Sequence, residues 1–353
     1  MPTCLIPKTD LIVARPEGLY CAAGDFYIDP WRPVANAVIT HGHADHARTG
    51  HTRYLAHTAS EGTLRSRLGA SINLQTLPYG ETLLHNGVSV SLHPAGHVLG
   101  SAQVRVEHRG EVWVASGDYK TEADGTCDPF EPVRCHTFIT ESTFGLPFYR
   151  WPTQAQLFAD INHWWRTNAA AGRASVLFCY AFGKAQRLLS GVDASIGPLI
   201  VHGAVEPLNQ VYRNAGVALP PTHLVSDGVT PGMISQSLVL APPSASGTSW
   251  MKRFGSYSDA FASGWMLLRG ARRRRGVDRG FVMSDHADWP GLQAAIKGTG
   301  AERVFVTHGS VAVMVRWLTD NGLDAQSFQT EYGNEDDQPA TSAVVATPAD
   351  AAA

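Results

Sequence analysis

The sequence predicts a mixed α/β chain of two domains, one of them interrupted by the other. Three observations carry this. At 353 residues the chain can bury a large core, and its length corresponds to about two domains. Between residues 19 and 140, short apolar runs punctuated by Gly, Pro and Asp read as sheet, whereas from residue 175 such runs alternate with helical segments, the pattern of a parallel sheet. After residue 280 the strands again run into histidines, as in the first part, so the outer stretches belong to one site.

Taken in order, the expected strands of the first part are Phe26-Tyr27-Ile28, Val38-Ile39, 88–92, 104–106, 112–114 and Phe138-Ile139. Several end in a residue able to bind metal. Ile39 leads to His41, Leu92 through a Pro-Ala-Gly turn to His97, Val114 to Asp118, and Ile139 to Glu141. Loops leaving one sheet edge can bring such residues together. Helices are expected over 154–169, with Leu157, Ile161, Trp164 and Trp165 on one face, and over 183–190 and 206–215. Strands are expected at 176–179, 199–201, 238–240 and 265–268. Gly280-Phe281-Val282-Met283 and 303–307 then run into Ser284-Asp285-His286-Ala287-Asp288 and Thr307-His308-Gly309.

The densest chemistry lies in Thr40-His41-Gly42-His43-Ala44-Asp45-His46, three imidazoles and a carboxylate on one tight loop. These are borderline ligands that suit Zn²⁺ and its first-row neighbours, and a cation between them removes their mutual conflict. His41 and His43, two apart, can point one way, while Asp45 and His46 start the next turn. That spacing suits two adjacent ions.

Composition narrows the function. With 44% hydrophobic and 17% charged residues the chain is not disordered, and a net charge of −3 excludes a global basic field of the kind that drives non-specific nucleic-acid binding. Any polyanion site must be local. Arginine outnumbers lysine 23 to five, which favours bidentate phosphate contacts or equally reflects a GC-rich genome. Cys4, Cys21, Cys127, Cys135 and Cys179 are odd in number and contain no Cys-x-x-Cys pair, so neither a disulfide framework nor a thiolate zinc site is indicated. A reducing cytosol fits best. No leader pattern opens the sequence and no apolar run reaches the ~18 residues of a membrane span, so a cytoplasmic protein without a membrane partner is expected. Residues 333–353, acidic and then Ala/Thr/Pro-rich, are expected to form a disordered tail.

Six motifs in order now carry a resemblance: 41–46; Ala95-Gly96-His97-Val98-Leu99-Gly100-Ser101; Ser116-Gly117-Asp118-Tyr119; Thr140-Glu141-Ser142-Thr143-Phe144-Gly145; 284–288; and 307–309. Together they resemble the β-CASP nucleases of the metallo-β-lactamase fold, over about residues 10 to 332. Tyr180-Ala181-Phe182-Gly183-Lys184-Ala185-Gln186-Arg187 looks like the helix entry of the β-CASP domain. The stretch 265–288, with its arginine run, is most similar to bacterial DNA ligase-associated exonucleases. The resemblance implies an αββα metallo-β-lactamase sandwich from 1–150 and 281–332, with an inserted β-CASP α/β domain at 151–280.

It also implies roles. One ion would take His41, His43 and His97, the other Asp45, His46 and His308, and Asp118 would bridge them. Asp45, Asp118, Glu141 and His286 would be the catalytic set. Water activated between two divalent ions, Zn²⁺ and/or Mn²⁺, would attack phosphorus in line, and His286, hydrogen-bonded by Glu141, would protonate the leaving oxygen. Asp29 resembles an aspartate that orients a metal-binding histidine; otherwise it is a turn residue before Pro30. The implied activity is a metal-dependent DNA exonuclease in repair, acting on single-stranded DNA or a free end, with a DNA ligase and a helicase as partners. The first rival is an RNA-processing ribonuclease of the same superfamily, of which His308 at the last motif is typical. A non-catalytic nucleic-acid-binding scaffold and a small-molecule metallohydrolase are the rivals of other classes.

Outside these motifs the readings are plainer. His51, His57, His85, His93, His108, His136, His163, His202 and His223 are expected to be surface or core residues. Arg272, Arg273, Arg274 and Arg275 are either a solvated basic loop or a strip contacting phosphates, since Arg275 precedes His286 by eleven residues and lies within ~40 Å of the metals even if the chain is extended. Lys184 and Arg187 are the other expected nucleic-acid contacts. Residues 244–249 form a small-residue loop that could hold a terminal phosphate but reads more simply as a linker.

Overall fold

A computed structural model describes residues 10–332, apart from the side chain of Arg272. The expected tail at 333–353 and Cys4 lie outside the described residues. Six strands form the first sheet in chain order: β1 (Val13–Arg15), β2 (Gly18–Cys21), β3 (Phe26–Ile28), β4 (Asn36–Val38), β5 (Arg53–His57) and β6 (Leu74–Leu77), with helix α1 (Glu61–Leu68) between the last two. From β3 to β6 the pairing is parallel. The chain then enters a second sheet with β7 (Thr82–His85), β8 (Val88–Pro94), β9 (Ala102–His108), β10 (Glu111–Ala115) and β11 (Thr137–Ser142).

Next come α2 (Gln154–Ala170), β12 (Ala174–Phe178), α3 (Lys184–Gly191), β13 (Leu199–Val201), α4 (Glu206–Asn214), α5 (Pro231–Gln236), β14 (Leu238–Ala241), β15 (Tyr257–Ala262), α6 (Arg269–Arg275) and β16 (Arg279–Phe281). Their strands make a separate, all-parallel sheet in the order β13-β14-β12-β15-β16. Helix α2 shows why the segment is helical: Thr153 caps its first turn by accepting from Gln156 N, and Leu157, Ile161, Trp164, Trp165 and Asn168 recur at helical spacing on its buried face. The chain finally returns through α7 (Trp289–Thr299), β17 (Arg303–Gly309), α8 (Val311–Asp320) and β18 (Asp324–Ser327), completing the second sheet in the order β18-β17-β11-β10-β9-β8-β7.

Leu19, Phe26, Ile28, Val38 and Leu55 of the first sheet pack in one core with Val90, Val104, Val106, Trp113 and Phe305 of the second. Leu177, Leu240 and Ala260 of the third sheet pack separately with Ile161, Trp165 and Leu188 of α2 and α3. Burying apolar surface at roughly 25 cal/mol per Å² makes each such core the main stabilising contribution to its unit. No helix among the described residues is long and apolar enough to cross a membrane.

Three local expectations need correction. Residues 265–268 are not a strand: a tight 3₁₀ turn spans Gly264–Leu267, capped by the Ser263 side chain, and the strand is the preceding Tyr257–Ala262. Ser258 and Asp259 disguised it, yet both find a partner in Asp278, Ser258 Oγ in Asp278 Oδ2 at 2.9 Å and Asp259 Oδ1 in the Asp278 amide at 2.8 Å. The arginine run is helix α6 and not a loop. The strand expected at 280–283 is Arg279–Phe281, which pairs with β15, so the boundary expected between 280 and 281 falls within a strand of the third sheet.

Candidate metal centre

Each side chain of the centre sits at or just beyond a strand end. His41, His43, Asp45 and His46 lie on the loop after β4, His97 follows β8, Asp118 follows β10, Glu141 lies in β11, His308 in β17, and His286 follows β16. A register shift between β11 and β17, where Thr140 faces Val306 but Ser142 faces Gly309, leaves an extra residue at His308 and re-aims it. Gly309 has φ +86°, and a Cβ there would strike the Ser142 carbonyl at 2.2 Å, so only glycine lets the two strands close beside His308.

Asp118 is the hub. Its Oδ2 is 3.4 Å from His46 Nε2, 3.5 Å from His41 Nε2 and 3.8 Å from His97 Nε2, and its Oδ1 is 3.2 Å from His308 Nε2. His43 Nδ1 faces His97 Nε2 at 3.0 Å, with its other nitrogen 3.4 Å from the Phe182 carbonyl. Of four groups close enough to hold an ion among the described residues, which include Asp29/His41/His46, two flank the hub, His41/His43/His97/Asp118 and His46/Asp118/His308, and share its carboxylate. Ligands held 2.0–2.2 Å from a tetrahedral ion stand roughly 3.3–3.6 Å apart, close to these separations. Asp45 is 3.7 Å from His46 Nε2 through Oδ2, while its Oδ1 is buried with no hydrogen-bond partner.

The hydrogen bonds behind the ring nitrogens establish which atoms carry protons. Thr40 Oγ1 donates to Asp29 Oδ2 at 2.5 Å, so it accepts from His41 Nδ1 at 3.0 Å. Thr307 Oγ1 donates to the Thr140 carbonyl at 3.2 Å, so it accepts from His308 Nδ1 at 2.9 Å. His46 Nδ1 donates to Asp29 Oδ2 and His97 Nδ1 to the Asp285 carbonyl, each at 2.7 Å. In the neutral imidazoles all four Nε2 lone pairs therefore converge on Asp118, an acceptor-only carboxylate. His41 Nε2, His46 Nε2 and Asp118 Oδ1 are buried without a hydrogen-bond partner. Only positive charge relieves this arrangement, and the donor set is that of a divalent metal.

The electrostatics agree. Burial, reinforced by the neighbouring His46, pushes His41 well below the usual imidazole range and keeps it in the ligand form. Burial would also lower His46, but Asp118, Asp45 and Asp29 outweigh it and hold that ring well above its ordinary value. Burial would raise Asp118, yet the neighbouring His46 and His286 rings, with His308 beside them, hold it well below the usual carboxylate range.

Beside the hub, Asp118, Glu141 and His286 form another of these close groups. His286 Nδ1 lies 2.8 and 3.0 Å from the two oxygens of Glu141, which also accept from Tyr119 N at 2.8 Å and from Thr143 Oγ1 at 2.5 Å. Trp151 Nε1 holds the His286 carbonyl at 2.9 Å.

Not every expected site residue joins this assembly. Lys184 and Arg187, expected to contact nucleic acid, are 1% and 4% exposed, with their charged heads turned onto Asp285 and Asp124. Arg273, Arg274 and Arg275 are exposed on α6. None of the nine histidines set aside above joins a metal-competent group among the described residues. Sequence reasoning missed Tyr332, whose ring stacks on His46 at 4.5 Å, and the threonines behind His41 and His308. The repeated tripeptide Thr-His-Gly at 40–42 and 307–309 was the signal for the threonines; nothing marked Tyr332.

No established family profile matches the chain. A protein named "Probable DNA ligase" of Opitutus terrae is 31% identical over 339 residues, covering 94% of this chain but 33% of that protein. The "Endoribonuclease YSH1" of Yarrowia lipolytica is 32% identical over 131 residues, covering 36% of this chain and 15% of that protein. The chain thus spans a third or less of the length of these relatives. Among solved structures, a protein of unknown function from Enterococcus faecalis V583 superposes with a TM-score of 0.56 at 11% identity, over 84% of this chain and 79% of that one, a likeness of fold. The chain is homologous to β-CASP nucleases of the metallo-β-lactamase fold, the class to which the endoribonuclease relatives belong. It also shares nearly its whole length with one segment of the Opitutus terrae protein.

Proposed function

We propose that this chain is a metal-dependent phosphodiesterase acting on DNA, an exonuclease that works beside a DNA ligase. The observation that carries the hydrolytic reading is the convergence of four imidazole Nε2 atoms on Asp118, with the Glu141–His286 pair alongside. His41, His43 and His97 would hold one divalent ion, Asp45, His46 and His308 the other, and Asp118 both. Such a pair supplies an activated water for attack at phosphorus and neutralises the phosphate oxygens. The residues do the rest. Asp29, Thr40, Thr307 and the Asp285 carbonyl fix the ring orientations, so that the ligand atoms are set before substrate arrives. Glu141 orients His286, which would protonate the leaving oxygen. The two sheets that share a core would form the αββα sandwich, and the third sheet the β-CASP insert over the site, with the exposed arginines of α6 tracking the strand backbone.

The preference for DNA is supported by the name of the Opitutus terrae relative and by its match over nearly all of this chain. An RNA-cleaving reading is favoured by the endoribonuclease relatives and by His308. Time-resolved digestion of matched single-stranded DNA and RNA, labelled separately at each end, with Mn²⁺ or Zn²⁺ and a His43→Ala control, tests both. Metal-dependent shortening of DNA with RNA spared is expected. RNA cleaved in preference moves the protein to the ribonucleases, and parity with the control on both polymers removes the nuclease reading.

A further inference from the structure

Asp285 stands between the insert and the metal centre. Its Oδ2 is 3.4 Å from Lys184 Nζ and its Oδ1 3.3 Å from Arg187 Nη1, so each oxygen faces a different cation, and Arg187 also donates to the Ser284 carbonyl. Lys184 and Arg187 lie three residues apart on α3 and so share a face. Arg187 is held from behind by Asp124, with Nε 3.3 Å from its Oδ2. All four side chains are at most 4% exposed. The main chain of the same Asp285 accepts from His97 Nδ1, and the next residue, His286, pairs with Glu141. A buried ion cluster is a poor source of stability compared with apolar packing of the same volume, so its value here lies in what it orients.

We propose that Lys184 and Arg187 are positioning residues which, through Asp285, set His97 in the metal centre and His286 beside it, so that seating of the insert and readiness of the centre are one event. This rests on the metal reading above. The guanidinium grips both the carbonyl of Ser284 and the carboxylate of Asp285, which leaves the Asp285 carbonyl one direction in which to point. Released, residues 284–286 can rotate and the His97 ring loses its fixed tautomer and orientation. Groups standing behind a ligand in this way typically account for 10–100-fold of metal affinity.

The test is calorimetric titration of Mn²⁺ into the metal-free full-length protein, beside thermal melts followed by circular dichroism. Arg187→Met and Asp285→Asn are each expected to weaken Mn²⁺ binding at least tenfold. The double variant should be no more than about twofold worse than the weaker single, because both act along one chain of contacts. Arg187→Lys should recover most of the loss. Asp124→Asn, which touches Arg187 but not residues 284–286, should lower the melting temperature yet weaken binding less than threefold. If Arg187→Met does not fold, Asp285→Asn and Arg187→Lys decide. Folded variants that bind like the wild type, or an Asp124→Asn loss equal to that of Asp285→Asn, overturn the proposal. A wild-type protein that binds no Mn²⁺ or Zn²⁺ overturns instead the metal reading on which it rests.

Discussion

His46 Nδ1 is 2.7 Å from Asp29 Oδ2, and Asp29 makes this contact from a backbone at φ 42°, a left-handed conformation uncommon for a residue with a Cβ. The same carboxylate accepts from Thr40 N at 2.7 Å, so one strained residue anchors the loop and orients two rings, His46 directly and His41 through Thr40. Asp29→Asn, which tolerates the backbone and keeps the shape, is expected to lower metal affinity 10–100-fold with little change in melting temperature. Asp29→Ala should lose affinity and also about 1–2 kcal/mol of stability from the backbone alone. Metal titration and thermal melts of both variants check this; unaltered affinity in Asp29→Asn would show that the Asp29 charge behind His46 does not support metal binding.

Asp118 is shared by both ligand groups, whereas His43 and His308 each belong to one. Elemental analysis of purified protein should therefore find about one ion lost in His43→Ala and in His308→Ala, and both lost in Asp118→Ala. Equal residual metal in all three variants would contradict a bridging carboxylate.

His286 and Glu141 act on the proton and not on the metal in the proposed reaction. His286→Ala and Glu141→Gln are expected to reduce turnover about 10²–10⁴-fold while metal content stays at the wild-type level, measured by single-turnover digestion and elemental analysis on the same samples. Full metal loss in His286→Ala would instead make that ring a ligand.

Helix α6 carries three exposed arginines whose side chains are described, Arg273, Arg274 and Arg275, and Arg275 also lies over the Phe261 ring at 4.3 Å. Replacing all three by Gln should weaken strand binding and flatten the plot of log K against log salt by up to about two for a single strand, if each neutralises one phosphate. An unchanged salt slope removes α6 from the path of the substrate.

His57 lies away from the metal centre, stacked on Tyr79 at 3.4 Å, with Nδ1 accepting from Ala59 N at 3.2 Å. Burial pushes its pKa down to about 4. Because the folded-state value lies below the unfolded 6.5, the unfolded chain takes up the proton first. This contribution to stability is therefore complete above pH 6.5, declines as pH falls towards 4, and is flat below. In EDTA, His57→Asn, which keeps a capping acceptor, should melt lower than the wild type at pH 7 yet lose less between pH 6.5 and 4. Parallel melting curves across that interval would exclude His57 as the titrating group.

Much of this architecture was legible in the residues. The strand ends that lead to His41, His97, Asp118 and Glu141, and the return of that habit at His308, required no structure to see, because alternation of apolar and polar residues and the clustering of ligand types are local properties. The same locality produced the errors. Residues 265–268 look like a strand by composition, but Ser263 caps a tight turn there, and the real strand, Tyr257–Ala262, hides behind Ser258 and Asp259, whose partner is Asp278 in the turn between α6 and β16.

By itself, then, the sequence determined that an α/β chain brings a dense set of imidazoles and carboxylates to the ends of its strands, since residue type and spacing suffice for that. Only the tertiary structure decided which groups meet and which do not. It made Asp118 the common partner of four rings, assigned their protons through Thr40, Thr307, Asp29 and the Asp285 carbonyl, and laid Tyr332 against His46. It also turned Lys184 and Arg187 inward. A cation in a sequence reads as an exposed charge until the fold supplies a buried carboxylate, and Asp285 and Asp124, about a hundred and sixty residues apart, are contributed by different parts of the chain. Burial and long-range pairing of that kind are set by packing, which no local pattern encodes.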